Sequence, residues 1–170
     1  GQPMHAFDAS LLAGAAIVVR HARAGETIRT LDGADRKLDP SMTVIADGDR
    51  AQAIAGVMGG NTSEVSDATH DIFLEVAYFD PATVRRTRRA LQLSTDASYR
   101  FERGIDIEAI PAALERAAQL LIAVAGGSVD GAPIDLYPAP RAKPVITLSV
   151  GKVQRLLGES IPEGEIAHLL

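Results

Sequence analysis

DIFLEVAYFDPATVRRTRRAL, which spans residues 71–91, contains the point where the chain changes from strand-like to helix-like patterns. Apolar and β-branched residues dominate its first part and predict a strand over residues 71–77. Asp80 is a suitable helix N-cap, and Pro81 suits the first helical position. A helix is therefore predicted from Asp80 to about Leu91.

The residues before this stretch predict a series of short strands. Apolar runs bounded by glycines and polar residues favour strands over residues 15–20, 27–31, 43–46 and 51–57. The segment Leu31-Asp32-Gly33-Ala34 predicts a hairpin turn, because Asp-Gly suits the positive φ angles of a tight two-residue connection. The segment Met58-Gly59-Gly60-Asn61 predicts a second break.

The residues after this stretch predict a longer helix and then a return to a strand. Apolar residues recur at helical spacing over residues 107–125, and Pro111 marks the start of the regular part. Gly126-Gly127 supplies a C-terminal stop. Residues 128–137 have a strand-like pattern. Since strands precede helices in this order, the sequence predicts an α+β fold.

Three prolines divide the chain into two predicted domains; they are Pro138, Pro140 and Pro144. We predict a first domain over residues 1–139, a proline-rich linker over residues 140–145 and the truncated beginning of a second domain over residues 146–170. In this last part, the pattern predicts a strand over residues 145–150, a short helix containing Val153, Leu156 and Leu157, and another helix over residues 162–170.

The composition is that of a globular domain, with 170 residues of which 46% are hydrophobic and 23% are charged. No run approaches the roughly 20 apolar residues that a membrane helix needs, and the first residues lack a signal-peptide pattern. We therefore expect a cytoplasmic protein without a membrane contact. The absence of Cys excludes disulfides, Cys-ligated zinc and a thiol nucleophile.

The charge distribution limits how the chain contacts nucleic acid. A net charge of -5 argues against a protein that binds nucleic acid over its whole surface. A local contact remains open, because four basic residues cluster: Arg85, Arg86, Arg88 and Arg89. These arginines form either a solvated helix face or a contact with nucleic-acid phosphates.

The residues alone do not name a reaction. No HExxH motif, phosphate-binding loop, nucleophile elbow or Ser-His-Asp arrangement stands out. The four His residues, at positions 5, 21, 70 and 168, include no pair spaced to share a helix face as metal ligands. We therefore expect no metal site.

Several segments, in the expected order, carry a resemblance to a known family. They are Gly1-Gln2-Pro3-Met4-His5-Ala6-Phe7-Asp8, Thr30-Leu31-Asp32-Gly33, Ala55-Gly56-Val57-Met58-Gly59-Gly60, Phe73-Leu74-Glu75 and the run TDASYRFERG over residues 95–104. Together they resemble the B3/B4 editing region of the bacterial phenylalanyl-tRNA synthetase beta subunit. Residues 146–170 resemble the opening of the next domain of that subunit, B5.

The resemblance implies a fold and a function in translation. It implies an α+β fold with a β-sandwich-like core and packed helices, and hydrolysis of the ester in mischarged tyrosyl-tRNA(Phe). Such editing is needed because an apolar pocket rejects a competitor with one extra hydroxyl by only about a hundredfold. The parent enzyme of this family is a ligase that attaches phenylalanine to tRNA(Phe) with ATP and Mg²⁺. The implied partners are tRNA(Phe) and the alpha subunit of an α2β2 enzyme, and no cofactor is expected in this chain.

The same motifs imply a set of site residues. His5, Glu75 and Thr95 match catalytic or substrate-contacting positions, while Gly59 and Ala97 match positions that, with Thr95, shape an aromatic slot. The resemblance implies that the Glu75 carboxylate accepts a hydrogen bond from the tyrosine phenol. It implies that His5 contacts the ester or the terminal adenosine, or holds a water. Attack by water with assistance from the substrate itself remains open.

Each of these residues also has a structural interpretation. Glu75 lies in a strand pattern in which a carboxylate often faces solvent. Gly59 and Gly60 satisfy a turn in this interpretation. Thr95 caps the helix end near Leu93, a role that leaves its hydroxyl unavailable.

Two further predictions concern the TDASYRFERG run and the residues just before it. Asp96, Glu102 and Arg103 are predicted to form an internal ion-pair network rather than to contact substrate. Gln92 stands where this family commonly has Gly before Leu93, and the replacement removes a favoured helix stop.

A different class of function also fits the arginine cluster: a noncatalytic domain that positions tRNA or serves as a scaffold. Glu75 separates the two hypotheses. A pure binding domain has no need for a carboxylate in an apolar slot, whereas a pocket that recognises a phenol does.

Overall fold

The computed structural model describes residues 1–142 and 144–170. It divides into two compact units, Gly1–Val129 and Asp130–Leu170. The division falls before the predicted linker at residues 140–145, whose role as a domain boundary stays a prediction. Lys143, within that linker, lies outside the described residues. In the described part of the chain, no helix has the length and apolar character needed to cross a membrane.

The first unit contains short strands followed by helices. The strands are β1 (His5–Asp8), β2 (Val18–His21), β3 (Thr27–Arg29), β4 (Asp35–Lys37), β5 (Thr43–Ala46), β6 (Ala51–Ile54), β7 (Met58–Gly59) and β8 (Ile72–Glu75). The helices of this unit are α1 (Pro81–Ala90), α2 (Asp96–Phe101) and α3 (Ile110–Ala125). The second unit contains α4 (Val150–Leu157) and α5 (Glu163–Leu169).

The strands form three antiparallel sheets. The largest has the order β2-β5-β6-β7, while β1 pairs with β8 and β3 pairs with β4. Every residue of β6 is buried, as are the last three residues of β5. These two central strands therefore form the middle layer of the first unit.

Successive residues of the central strands pack into different hydrophobic clusters, as expected for side chains that alternate between the faces of a sheet. One cluster joins β5 and β6 to α1 and α2 and includes Val44, Ile54, Val84 and Phe101. The other joins the same strands to β1 and includes Phe7, Ile45 and Ala53. The layered arrangement of sheets and helices confirms the predicted α+β class.

Local signals located the hairpin and the start of α1 correctly, but the predicted two-residue connection is wrong. Arg29 pairs with Asp35 and the Thr30 N–H donates to Ala34 O, which leaves a three-residue loop in which only Gly33 has a positive φ. Gly33 has a φ of 78°, and its N–H donates to Thr30 O at 2.8 Å to close the turn between β3 and β4. The Asp80 side chain accepts a hydrogen bond from the N–H of Thr83 at 2.8 Å, and Pro81 lies in the first turn of α1.

The break predicted at residues 58–61 is wrong, because Met58 and Gly59 form β7 and pair with β6. The chain turns earlier, at Gly56, which has a φ of 69°. Gly60 serves a close approach: a Cβ atom there would lie 2.6 Å from the carbonyl oxygen of Gln52. The double glycine therefore lets strands pack closely and does not form a turn.

The strands predicted over residues 128–137 and 145–150 are also wrong. In both ranges the described residues contain no strand, and their apolar side chains are exposed, with Leu136 at 83% and Val145 at 95%. A strand requires a neighbour for its ladder of hydrogen bonds, and these segments have none among the described residues. The short helix predicted to contain Val153, Leu156 and Leu157 and the helix predicted over residues 162–170 are confirmed as α4 and α5.

Candidate functional site

The pairing of β1 with β8 brings two predicted site residues together. The register places His5 directly opposite Glu75 and Phe7 opposite Phe73. Side chains of directly opposed residues share one face of an antiparallel pair, with Cβ atoms about 4.5–5.5 Å apart. His5 and Glu75, which lie far apart in the sequence, are therefore neighbours at one end of this small sheet.

Gly59 on β7 completes the immediate surroundings of His5. A Cβ atom at Gly59 would overlap the imidazole ring of His5, so the ring lies directly against the backbone. On another side, the ring meets Phe7 edge to face, with centroids 4.4 Å apart and an interplanar angle of 64°. The absence of a side chain at position 59 thus fixes where the imidazole lies.

The Glu75 side chain is partly buried, lines a largely apolar pocket and makes no side-chain hydrogen bond with the described residues. Burial penalises its charged form and raises the pKa of Glu75 to about 7. A buried carboxyl group without a partner is costly to the fold unless something else hydrogen-bonds to it. This position is therefore suited to recognise a hydrogen-bonding group of a ligand.

The His5 imidazole also has a polar atom that makes no hydrogen bond with the described residues. Its Nε2 atom is buried and has no hydrogen-bond partner among the residues described. Burial lowers the pKa of His5 below its ordinary value, so the ring is neutral at neutral pH. A neutral imidazole nitrogen accepts or donates one hydrogen bond according to its tautomer, and it therefore suits a water or a polar substrate atom.

Helix α2 supplies the remaining wall of the pocket. Ala97 lines it from the first turn, and Phe101 lines it from the last turn of the same helix. Phe79, in the connection from β8 to α1, meets Phe101 edge to face with ring centroids 5.0 Å apart. The pocket thus combines two polar side chains with an aromatic wall and has a volume of about 60 Å³.

Four of the five predicted site residues line this pocket; they are His5, Gly59, Glu75 and Ala97. Sequence reasoning missed several others, namely Gly56, Val57, Met58, Phe79 and Phe101. The quoted motifs contain all of these except Phe79.

Thr95 lies behind the pocket wall and not in it. Its hydroxyl donates to the carbonyl oxygen of Val57 at 2.7 Å and accepts a hydrogen bond from the N–H of Ser98 at 3.0 Å. Ser98 Oγ in turn accepts a hydrogen bond from the N–H of Thr95 at 3.0 Å, which completes a capping box at the start of α2. Thr95 therefore caps the following helix, α2, rather than the helix end near Leu93, and its hydroxyl proton is already bound.

Comparison with known proteins identifies the family of this chain. Residues 1–126 match the family model described as the B3/4 domain. The chain belongs to the B3/4 domain family. The family expected from the sequence motifs is thereby confirmed.

Curated relatives of this B3/4 chain are phenylalanine–tRNA ligase beta subunits. The chain is 50% identical over 170 residues to the subunit of Moorella thermoacetica, covering 100% of the chain and 21% of the relative. It is 48% identical over 169 residues to that of Geobacter metallireducens, covering 99% of the chain and 21% of the relative. The chain thus spans about a fifth of the length of these relatives.

The arginine cluster of this B3/4 chain does not form one free basic face. Arg88 Nη1 lies 2.9 Å from Glu102 Oε2, and Arg85 Nη2 donates to the carbonyl oxygen of Glu102 at 2.8 Å. These two side chains therefore fasten α1 to the end of α2. Arg86 and Arg89 are exposed on α1. Only part of the cluster is thus available for a phosphate.

Glu102 is the centre of the ion-pair network predicted in the B3/4 motif. Arg103 Nη1 lies 2.9 Å from Glu102 Oε1, which adds to the pair with Arg88. Asp96 was wrongly placed in this network, because its side chain is 99% exposed and it lies 3.9 Å from Arg100 on the same helix. The first turn of α2 points Asp96 to solvent, while Ser98 and Phe101 are buried.

Proposed function

We propose that this B3/4 domain edits mischarged tRNA by hydrolysing the ester of tyrosyl-tRNA(Phe). The observation that supports this proposal is the Glu75 carboxyl group, which is desolvated and unpaired among the described residues of an otherwise apolar, aromatic-walled pocket. A tyrosine side chain matches both properties, because it has an apolar ring and a polar hydroxyl at its tip.

The selectivity arises because phenylalanine lacks the phenolic hydroxyl of tyrosine. The phenol of tyrosine donates a hydrogen bond to the Glu75 carboxylate, and a hydrogen bond to a charged group contributes about 1.5–3 kcal/mol. Phenylalanine leaves the carboxylate buried and unpaired. The site therefore prefers tyrosine by roughly ten- to a hundredfold, since 1.4 kcal/mol corresponds to about a factor of ten.

The proposed roles of the other residues follow from their positions. Ala97 has a small side chain and leaves room for the substrate ring beside α2, while Gly59 leaves room for the His5 imidazole. The neutral His5 imidazole, with its free Nε2, hydrogen-bonds the ester, the terminal adenosine or the attacking water. Thr95 acts by position: it fastens the start of α2 to Val57 in the pocket floor.

The wider setting belongs to the same proposal. By analogy with its relatives, the chain is part of the beta subunit of a phenylalanine–tRNA ligase, which works with an alpha subunit on tRNA(Phe). That complete enzyme uses ATP and Mg²⁺ to attach phenylalanine. In this proposal, the present chain removes tyrosine that the complete enzyme has wrongly attached to tRNA(Phe).

Fewer observations support a noncatalytic role in positioning tRNA than support editing. Arg86 and Arg89 are exposed on α1, whereas Arg85 and Arg88 are bound to Glu102. The two arginines that make no contact with Glu102 supply little phosphate neutralisation. A positioning role also gives no reason for an unpaired carboxyl group in the pocket.

The test is to incubate the complete enzyme that contains this chain with tyrosyl-tRNA(Phe) and phenylalanyl-tRNA(Phe) and to measure the released amino acid. We expect release of tyrosine at least about ten times faster than release of phenylalanine. The spontaneous hydrolysis of each ester without enzyme is the control. Equal release of both amino acids would contradict the proposal.

A further inference from the structure

The proposed slot has too little space for its substrate in the observed conformation. Its volume is about 60 Å³. An apolar cavity that takes up benzene in another protein has about 150 Å³. A phenol ring therefore enters only if part of the wall moves.

A second cavity shares one wall residue with the proposed slot. This cavity has a volume of about 200 Å³ and is lined by residues of β2, β5 and α1, including Val19, Thr43 and Val84. Phe79 lines both this cavity and the proposed slot. Phe79 therefore lies between the small slot and this larger cavity.

The surroundings of Phe79 are compatible with a change of its position. Phe79 packs against both hydrophobic clusters of the first unit but is only partly buried. It lies between β8 and α1, outside regular secondary structure. Backbone hydrogen bonds of a strand or helix thus do not hold this residue in place.

We propose that Phe79 is the movable wall of the aromatic slot: its ring swings into the second cavity when an aminoacyl side chain enters, and its bulk limits which side chains are accepted. This inference rests on the proposed editing function and adds a specificity-determining residue to it. The substrates admitted are aminoacyl esters with a ring as narrow as that of tyrosine, and rings with a bulky substituent are excluded.

The first test widens the slot directly. Phe79→Leu removes aromatic bulk from the wall of the slot while keeping an apolar side chain. The complete enzyme is assayed for deacylation of tRNA(Phe) charged with tyrosine or with 3-iodotyrosine. We expect the iodotyrosine-to-tyrosine rate ratio to rise by about tenfold or more, in line with pocket-size effects in other enzymes. A purely structural role would slow both substrates together and leave the ratio unchanged.

The second test blocks the space into which the ring moves. Thr43→Ile places a larger side chain in the second cavity and so reduces its volume. Thr43 does not line the slot itself. Thr43→Val is the matched control, because it keeps the branched shape without filling the cavity. We expect Thr43→Ile to slow tyrosyl-tRNA deacylation by about tenfold, mainly through a higher KM, and Thr43→Val to retain the wild-type rate.

The outcomes separate this inference from the function on which it rests. A wild-type enzyme that shows no preference for tyrosyl-tRNA overturns both. A selective wild-type enzyme with an unchanged substrate ratio in Phe79→Leu, or with equal KM values in the two Thr43 variants, overturns the movable wall alone. Thermal unfolding of each variant identifies a loss of folding, and the Thr43 pair remains decisive if Phe79→Leu fails to fold.

Discussion

Burial places the Glu75 carboxyl group near its midpoint of ionisation at neutral pH. Its ordinary pKa is 4.5 and the folded protein raises that pKa to about 7. Because the folded state holds the proton more tightly than the unfolded state, folding stability falls as pH rises from 4.5 to about 7. The full shift corresponds to about 3 kcal/mol, a cost that the fold itself does not require.

Glu75→Gln should therefore stabilise the protein and impair its selectivity. At pH 8 we expect the free energy of unfolding to rise by about 3 kcal/mol, while at pH 4 the variant and wild type should agree. The preference for tyrosyl-tRNA should narrow, because the charge-assisted bond is lost. Denaturant unfolding at both pH values and deacylation of both tRNAs measure these effects.

The exposed Glu64 provides a matched control, since Glu64→Gln makes the same chemical change outside the pocket. It should alter neither stability nor selectivity. In the wild type, the ratio of tyrosine to phenylalanine release should increase from pH 6 to pH 8 as Glu75 ionises. A constant ratio, or Glu75→Ala with full tyrosine preference in a folded enzyme, would remove Glu75 from the site.

Ala97→Trp should close the slot by size alone. Ala97 lines the pocket from the first turn of α2, and Gly59 of β7 lines the same pocket. We expect deacylation of tyrosyl-tRNA to be lost and charging with phenylalanine by the complete enzyme to stay nearly normal. Wild-type deacylation by a folded Ala97→Trp enzyme would show that the slot lies elsewhere.

At the scale of elements, α2 depends on Thr95 for both its start and its attachment. Thr95→Val removes the bond to Val57 and the cap on Ser98, and loss of an N-cap costs about 1 kcal/mol. We expect slower deacylation with lower thermal stability in Thr95→Val, and near wild-type behaviour in Thr95→Ser. Ser98→Ala, which leaves the Thr95 hydroxyl in place, should also slow the reaction. Loss of activity in Thr95→Val without loss of stability would instead support a direct role.

The end of α1 contains a residue in an unfavourable backbone conformation. Gln92 has a φ of 53°, and the N–H groups of Gln92 and Leu93 donate to the carbonyls of Arg89 and Arg88. These two bonds form a Schellman motif, in which Gly is favoured at the left-handed position. The motif thus forms despite the unfavourable residue.

Gln92→Gly should stabilise the first unit by about 0.5–1 kcal/mol, because relief of about 1–2 kcal/mol of left-handed strain outweighs about 0.4–1 kcal/mol of added entropy in the unfolded chain. Gln92→Ala is the matched control, since it keeps the left-handed requirement and removes only an exposed side chain. Chemical unfolding measures both. Equal stability of the Gly and Ala variants would mean that the conformation carries no strain.

These elements also show which features the sequence predicts. The cap at Asp80 and the turn at Gly33 depend on neighbouring residues, so local patterns identified them. Gly59 depends on His5, which reaches it only through the folded sheets, and the local pattern therefore suggested a turn. The site residues emerged from motif resemblance, while Phe79, which lies outside those motifs, emerged from packing alone.

At the scale of the whole first unit, a carboxylate next to the central sheet links distant segments. Asp47 accepts hydrogen bonds from the N–H groups of Ala13, Asp49 and Arg50 and from the side chain of Gln52 at 2.7–3.0 Å. Burial alone would raise the pKa of Asp47, but these donors lower it to about 2. The charged form thus ties the segment before β2 to the turn between β5 and β6.

Asp47→Asn should destabilise the first unit in a pH-dependent manner. The pKa shift from 3.8 to about 2 contributes about 2 kcal/mol of stability that is fully present above pH 4 and is lost as pH falls through 2. We expect a gap of at least that size between wild type and variant at pH 7, narrowing toward pH 2. Asp49→Asn, at an exposed neighbour, should change stability by less than about 0.5 kcal/mol. An equal gap for Asp47→Asn at pH 2 and pH 7 would mean that Asp47 acts through shape and not through its charge.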